Sequence, residues 1–180
     1  MAFDKDSKEI AIGQIVTVTG GLLAGGALAF YTDKIALIPG IFVLLPGFLD
    51  MRGDVVGSLA ARLSSELHIG SIDIAKQKRQ GIRDGVVAAF LLSLAASVIL
   101  GLVAYAASYF IFKINNPDII WVAIIATIVS NLILIPLTVK STVWFFAHGY
   151  DPDNVMGPYI TVVGDVAAIV SLLIAIVIVT

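Results

Sequence analysis

A chain of 180 residues that is 59% hydrophobic, only 13% charged and of mean hydropathy +1.01 is far more apolar than a soluble domain, for which roughly 45–50% is ordinary. A formal net charge of -2 offers no basic face and excludes a nucleic-acid partner, and the lack of cysteine removes disulfides, thiolate metal sites and thiol redox chemistry together. The composition predicts an all-α, multi-pass protein of the cell membrane.

The first nine residues, MAFDKDSKE, mix both signs and are read as a short soluble lead, with residues 10–180 as one transmembrane domain. The apolar run behind them is too long for a signal-peptide core and has no small-residue cleavage pattern. Ile10 to Thr32 carries no charge and has about the ~20 residues that a helix needs to cross a bilayer, the first of five predicted spans. Gly21, Gly25 and Ala29 recur at every fourth position, a stripe at which another helix backbone can come close.

After the turn Tyr31-Thr32-Asp33-Lys34, the second segment runs from Ile35 to about Leu67, roughly 50 Å as one straight helix against an apolar core ~30 Å thick. It therefore projects beyond the bilayer or is interrupted, and Pro39, Pro46 and Gly47 are where an interruption is expected. Within it stand Asp50, Arg52 and Asp54. An ionised side chain in hydrocarbon costs at least ~2.5–3.5 kcal/mol, so such residues face a bundle interior or a water-filled path. Asp50, Asp54, Ser58 and Arg62 share one helix face, beside a second small stripe of Gly53, Gly57 and Ala61. The pattern suits a helix lining a cation path. The other use of these carboxylates is to pair with Arg52 or Arg62 as intramembrane glue.

Ser71 to Arg83, SIDIAKQKRQGIR, is polar and basic and reads as a loop or surface helix. The third span, Gly85 to Phe112, is free of charge, and Gly101 with Ala95, Ala96, Ala104, Ala106 and Ala107 favours packing over chemistry. A turn at Lys113 to Asp118 leads to the fourth span, Ile119 to Val139, with Thr127, Ser130, Asn131, Pro136 and Thr138 as its polar features. Asn131 fits either a path lining or an interhelical hydrogen bond.

Asp151 followed by Pro152 predicts an N-cap with proline at the first helical position, and Asp153 and Asn154 belong to the same cap. DPDN is not a calcium loop, because the remaining ligands and the closing Glu are missing. Inside this fifth span Gly157, Thr161 and Asp165 are each four apart, and Pro158 leaves the carbonyl of Asn154 without its helical partner. Freed carbonyls and carboxylates are hard oxygen ligands. Asp165 is the only charge between Asn154 and Thr180, roughly 16 Å into the span and so near the bilayer midplane. No Lys or Arg of its own span can neutralise it. A cytoplasmic N-terminus places Lys5, Lys8, Arg62, Lys76, Lys78, Arg79, Arg83 and Lys140 on the inner side and only Lys34 and Lys113 outside. Asp50 and Asp54 then lie toward the inner surface from Asp165.

Two stretches carry a family resemblance. Pro46 to Gly70, PGFLDMRGDVVGSLAARLSSELHIG, resembles the second-helix signature of the MgtE-type magnesium transporters and their eukaryotic solute-carrier relatives, and DPDNVMGPYITVVGD resembles the fifth-helix signature. With the span pattern between them, the resemblance covers the chain from about Ser7 onward. It implies a five-helix membrane unit used twice, as a homodimer or as tandem repeats, with a cation path at the two-fold interface lined by helices two and five. It also implies that Asp165 is the principal magnesium ligand. Joined to the reading of the residues, the expected metal ligands are Asp165, Asp54, Asp50 and Thr161, and the expected lining is Gly53, Ser58, Gly157 and Asn131. The sequence departs from the family at Gly53-Asp54, where Gly-Asn is usual, and at Asp50, where a small residue is usual. Two copies bring six carboxylates toward one axis, and a shifted ion selectivity is expected. About nine leading residues cannot supply the soluble regulatory domains of bacterial members, so gating by such domains is not expected.

Magnesium suits the ligand set, since it prefers oxygen, keeps several waters and is held by one or two carboxylates. His68 and His148 stand near helix ends and are read as surface residues. The expected function is divalent-cation transport, with the bilayer, a second copy and the cation as partners. A sodium- or proton-coupled exchanger is the nearest alternative. An intramembrane enzyme is the remote one, because the nucleophile or histidine set it needs is missing; no enzymatic activity is expected.

Overall fold

The computed structural model describes residues 5–36, 38, 40–71 and 80–180, and among them there is no strand. The helices are α1 (Lys5–Phe30), the short α2 (Thr32–Ile35), α3 (Ile41–His68), α4 (Gln80–Phe112), α5 (Asp118–Ala147) and α6 (Pro152–Val179). Four stretches are long and apolar enough to cross a membrane: Ile10–Phe30, Gly81–Phe112, Asp118–Ala147 and Pro152–Val179. With 28 residues α3 has the length, but Asp50, Arg52, Asp54, Arg62 and Glu66 deprive it of the apolarity.

The helix boundaries follow local chemistry. At the start of α6 the Asp151 carboxylate accepts a hydrogen bond from the Asp153 N–H at 3.0 Å, with Pro152 at the first helical position, as the sequence predicts. The second segment is broken, but ahead of α3, and the helix continues through Pro46 and Gly47. The break lies at Gly40, whose φ of +85° is left-handed. A Cβ there would also run into the Ser108 hydroxyl of α4, so the chain turns at this point only because glycine has neither penalty. Pro39 lies outside the described residues, as do 72–79, which hold most of the expected basic connection. Helix α4 begins at Gln80 and α5 runs on to Ala147, both longer than the apolar runs alone suggest.

The bundle is built around α3, which packs against α4, α5 and α6, while α1 lies chiefly against α6. At one end Ile41, Leu44 and Phe48 of α3 meet Ile119, Val122 and Ala123 of α5 and Ala168 and Leu172 of α6, all fully buried. At the other end the core divides on either side of α3. Leu59, Leu63 and Leu67 face Ala89 and Ile135, and Val56 and Ala60 face Leu134, Met156 and Ile160.

Between helices in lipid there is no hydrophobic drive toward one another, so close fit decides the contacts. Gly101 of α4 shows this best: a Cβ on it would stand 3.1 Å from the Ile120 Cα and 3.2 Å from the Ala123 Cβ. The packing face of α1 differs from the expected stripe. Gly21 and Gly25 have no neighbour within 4 Å, whereas Gly20 abuts Val162 and Gly13 abuts Pro158, with Ala24 buried between the helices. One residue of register rotates a helix by ~100°, and the bulges of Pro158 and Val162 on α6 select the register.

Candidate functional site: a groove between α3 and α6

The second and fifth of the long chain segments face each other across a groove of about 550 Å³. Its α3 wall is formed by Asp50, Gly53, Asp54 and Gly57, and its α6 wall by Gly157, Thr161 and Asp165. Spacings of three and four residues place each set on one helix face. The groove stays open because nothing lies within 4 Å of where a Cβ on Gly53, Gly57 or Gly157 would stand. Asp50, Asp54 and Thr161 are exposed along it, and the Thr161 hydroxyl donates to the Gly157 carbonyl at 3.0 Å. Thus Asp50, Asp54, Thr161 and Asp165, with Gly53 and Gly157, come together in one place. Ser58 and Asn131 do not line it.

The residue that the sequence reading did not place here is Arg52. Its neighbours on the same helical face are Phe48, Val55, Val56 and Leu59, all buried, and Arg52 itself is only 4% exposed. An arginine set on an otherwise apolar face was the signal for it. The guanidinium crosses to α6, where Nη2 donates to Asp165 Oδ1 at 2.9 Å. The approach is possible because residue 164 is glycine, since a Cβ there would stand 2.8 Å from Arg52 Cζ. Asp165 is therefore without a counter-ion in its own helix, as read from the sequence, and acquires one from α3.

The alternative pairing of Asp50 or Asp54 with an arginine is not found: among the described residues neither makes an ion pair, and Arg62 Nε instead donates to Glu66 Oε1 at 2.9 Å. The reason is geometric. Positions two apart on a helix point away from each other, whereas Glu66 lies one turn beyond Arg62. Removing one member of a buried pair such as Arg52–Asp165 costs ~3–5 kcal/mol, mostly because the other charge is left uncompensated.

Only one edge of the Arg52 guanidinium is used. Nε and Nη1 are buried and have no hydrogen-bond partner. On the side away from the groove Arg52 borders a cleft with about 200 Å³ of unfilled space, too narrow to admit a water molecule, shared with Phe48, Met51, Ser93, Thr127, Ser130 and Asn131. Asn131 is spent there on helix packing: Nδ2 donates to the Ser93 hydroxyl at 2.6 Å, and Ser93 donates to the Phe90 carbonyl at 2.9 Å. Of its two uses open from sequence, the interhelical hydrogen bond is the one seen. The Thr127 and Ser130 hydroxyls in the same cleft are buried without a partner. Each such group costs ~1–3 kcal/mol when left unsatisfied.

At the far end of α3, His68 comes together with Asp151 and Asp153, with one ligand atom from each lying within 4.8 Å of the others. His68 Nδ1 sits 2.9 Å from the Ser64 carbonyl, and Asp151 caps α6, so local helix chemistry accounts for each placement. His148 is exposed and stacks on Trp144 at a centroid distance of 4.2 Å.

The groove-bearing helices and everything between them fall within a known family. The MgtE profile, described as a divalent cation transporter, matches residues 45–175, well over half of the chain. The chain is also similar to solute carrier family 41 member 2 of Gallus gallus, 29% identical over 160 residues that cover 83% of this chain. It spans only 26% of the length of that relative. No solved structure matches the chain. With a transporter profile running from the start of the groove wall in α3 to the end of α6, and four helices apolar enough to cross a membrane, the chain belongs to the MgtE family of divalent cation transporters and is a multi-pass membrane protein.

Proposed function

We propose that this chain moves divalent cations, magnesium first among them, along the groove between α3 and α6, with Asp165 as the central ligand and Asp54, Asp50 and Thr161 as further oxygen donors. The observation that carries the reading is the convergence of three carboxylates and one hydroxyl on a single open groove inside the segment that matches the transporter family. An all-oxygen set with few carboxylates suits a partly hydrated magnesium ion. The exposed Asp50 and Asp54 concentrate cations at the groove without committing them to one partner, so discrimination among divalent ions falls to Asp165.

In the bilayer, α3 serves as a fifth crossing whose polar residues face the path, the N-terminus is cytoplasmic, and residues 10–180 act as the transport unit behind a nine-residue lead. The groove is open on one side, and a second copy related by a two-fold axis along the membrane normal closes it, giving each path two copies of Asp165. The chain has no cysteine, so a single introduced one reports cleanly. Gly57→Cys is expected to cross-link two copies in mild detergent. A cross-linker that captures only monomers, from a sample that still transports, would refute the two-fold path.

The test of the function itself is flux in proteoliposomes with magnesium, calcium and sodium gradients varied separately. Magnesium flux down its own gradient, indifferent to sodium and protons, is the expected result. Flux that requires a sodium or proton gradient makes the protein a coupled exchanger. No divalent flux under any gradient removes the reading.

A further inference from the structure

We propose that Arg52 is a tethered cation that occupies Asp165 when no ion is there and withdraws into the Thr127–Ser130 cleft when a divalent cation arrives, so that each binding event is an exchange of guanidinium for ion. The inference rests on the reading of Asp165 as the cation ligand. It concerns what that ligand holds in the absence of its ion.

Two sets of observations lead to it. In the groove, the one described cation paired with Asp165 is the Arg52 side chain, at 2.9 Å, and a metal ion cannot take the same carboxylate without weakening that contact. Both groups compete for the same charge. Behind the groove, the numbers of unmet donors and acceptors match. Arg52 Nε and Nη1 are buried donors without partners, and Thr127 Oγ1 and Ser130 Oγ are buried hydroxyls without partners. All of them belong to residues bordering the same cleft, which a water molecule does not enter. The ion-free arrangement thus satisfies Asp165 and leaves the hydroxyls unmet. The withdrawn arrangement supplies the hydroxyls with guanidinium N–H donors and frees Asp165.

The bare backbone at Gly164 fits the same device. It lets the guanidinium lie flat on α6 with no side chain to lock it there, and a flexible side chain that borders both cavities needs only rotamer changes to move between them. The ion's apparent affinity is then set by the difference between the two seats of Arg52. Residues that never touch the ion thereby tune its binding.

The experiment measures magnesium binding by calorimetry, with magnesium chloride as the probe, on the full chain in lipid nanodiscs. Arg52→Gln removes the competitor and is expected to tighten magnesium about tenfold. Thr127→Val with Ser130→Ala removes the second seat while keeping its shape, and is expected to weaken magnesium about tenfold, the worth of one hydrogen bond to a charged group. The same double variant is expected to leave the ion-free thermal midpoint unchanged or raised, since its hydroxyls have no partner in that state. An unchanged or tighter magnesium affinity in the Thr127–Ser130 variant, alongside loss of binding in Asp165→Asn, overturns the exchange and leaves the path intact. Undiminished binding in Asp165→Asn overturns both. If Arg52→Gln does not fold, the Thr127–Ser130 variant decides alone, because it leaves the ion pair in place.

Discussion

Asp165→Asn is expected to abolish magnesium flux and to weaken magnesium binding by on the order of a hundredfold. Two unit charges ~4 Å apart attract by about 4 kcal/mol at an effective dielectric of 20, and a divalent ion facing a carboxylate exceeds that before hydration is charged against it. The amide keeps the shape of Asp165 and can still accept from Arg52 Nη2, so the helices should still assemble. It cannot balance the charge of Arg52, which is 4% exposed, and the thermal midpoint is expected to fall as well. The two losses can be separated. Adding Arg52→Gln to Asp165→Asn removes the uncompensated guanidinium, and should restore most of the stability and none of the binding. A double variant that regains magnesium binding would show that Asp165 serves the fold, with the ion path elsewhere.

The largest purely structural effect is expected at Gly101. A Cβ there faces the Ile120 Cα at 3.1 Å, and a helix backbone cannot give way as the tip of a side chain can. Gly101→Leu must therefore push α4 from α5 and disturb the Ser93–Asn131 hydrogen bond between the same helices. Overpacking of this kind costs ~1–3 kcal/mol, or a midpoint lower by roughly 5–10 °C in a chain of this size. Gly26→Leu on α1 is the matched control, because nothing lies within 4 Å of its Cβ position. Equal shifts for the two variants would mean that the midpoint reports the general cost of adding a leucine, with no special contact at Gly101.

Much of the molecule was readable one residue at a time, because much of it is set by local or one-body physics. The apolar runs are a matter of transfer free energy, and they appear as helices apolar enough to cross a membrane. The Asp151-Pro152 cap depends on residues within one turn, and it forms as read. The lone charge of Asp165 and the i, i+4 run from Gly157 through Thr161 likewise depend only on helical spacing, and these residues share the groove. The two motif stretches pointed to the family whose profile matches residues 45–175.

What the tertiary structure decided is how the helices are turned toward one another. In a soluble bundle the apolar stripe marks the buried side of each helix, but in lipid both sides are apolar and the pattern loses that information. That is why Gly21 and Gly25 read as the contact face of α1 when Gly20 and Ala24 carry it, and why Asn131 could not be assigned between path and packing. It is also why the partner of Asp165 escaped notice. Arg52 lies 113 residues away in sequence, and only the rotation of α3 against α6, with glycine at 164 to admit the guanidinium, brings the two charges to 2.9 Å.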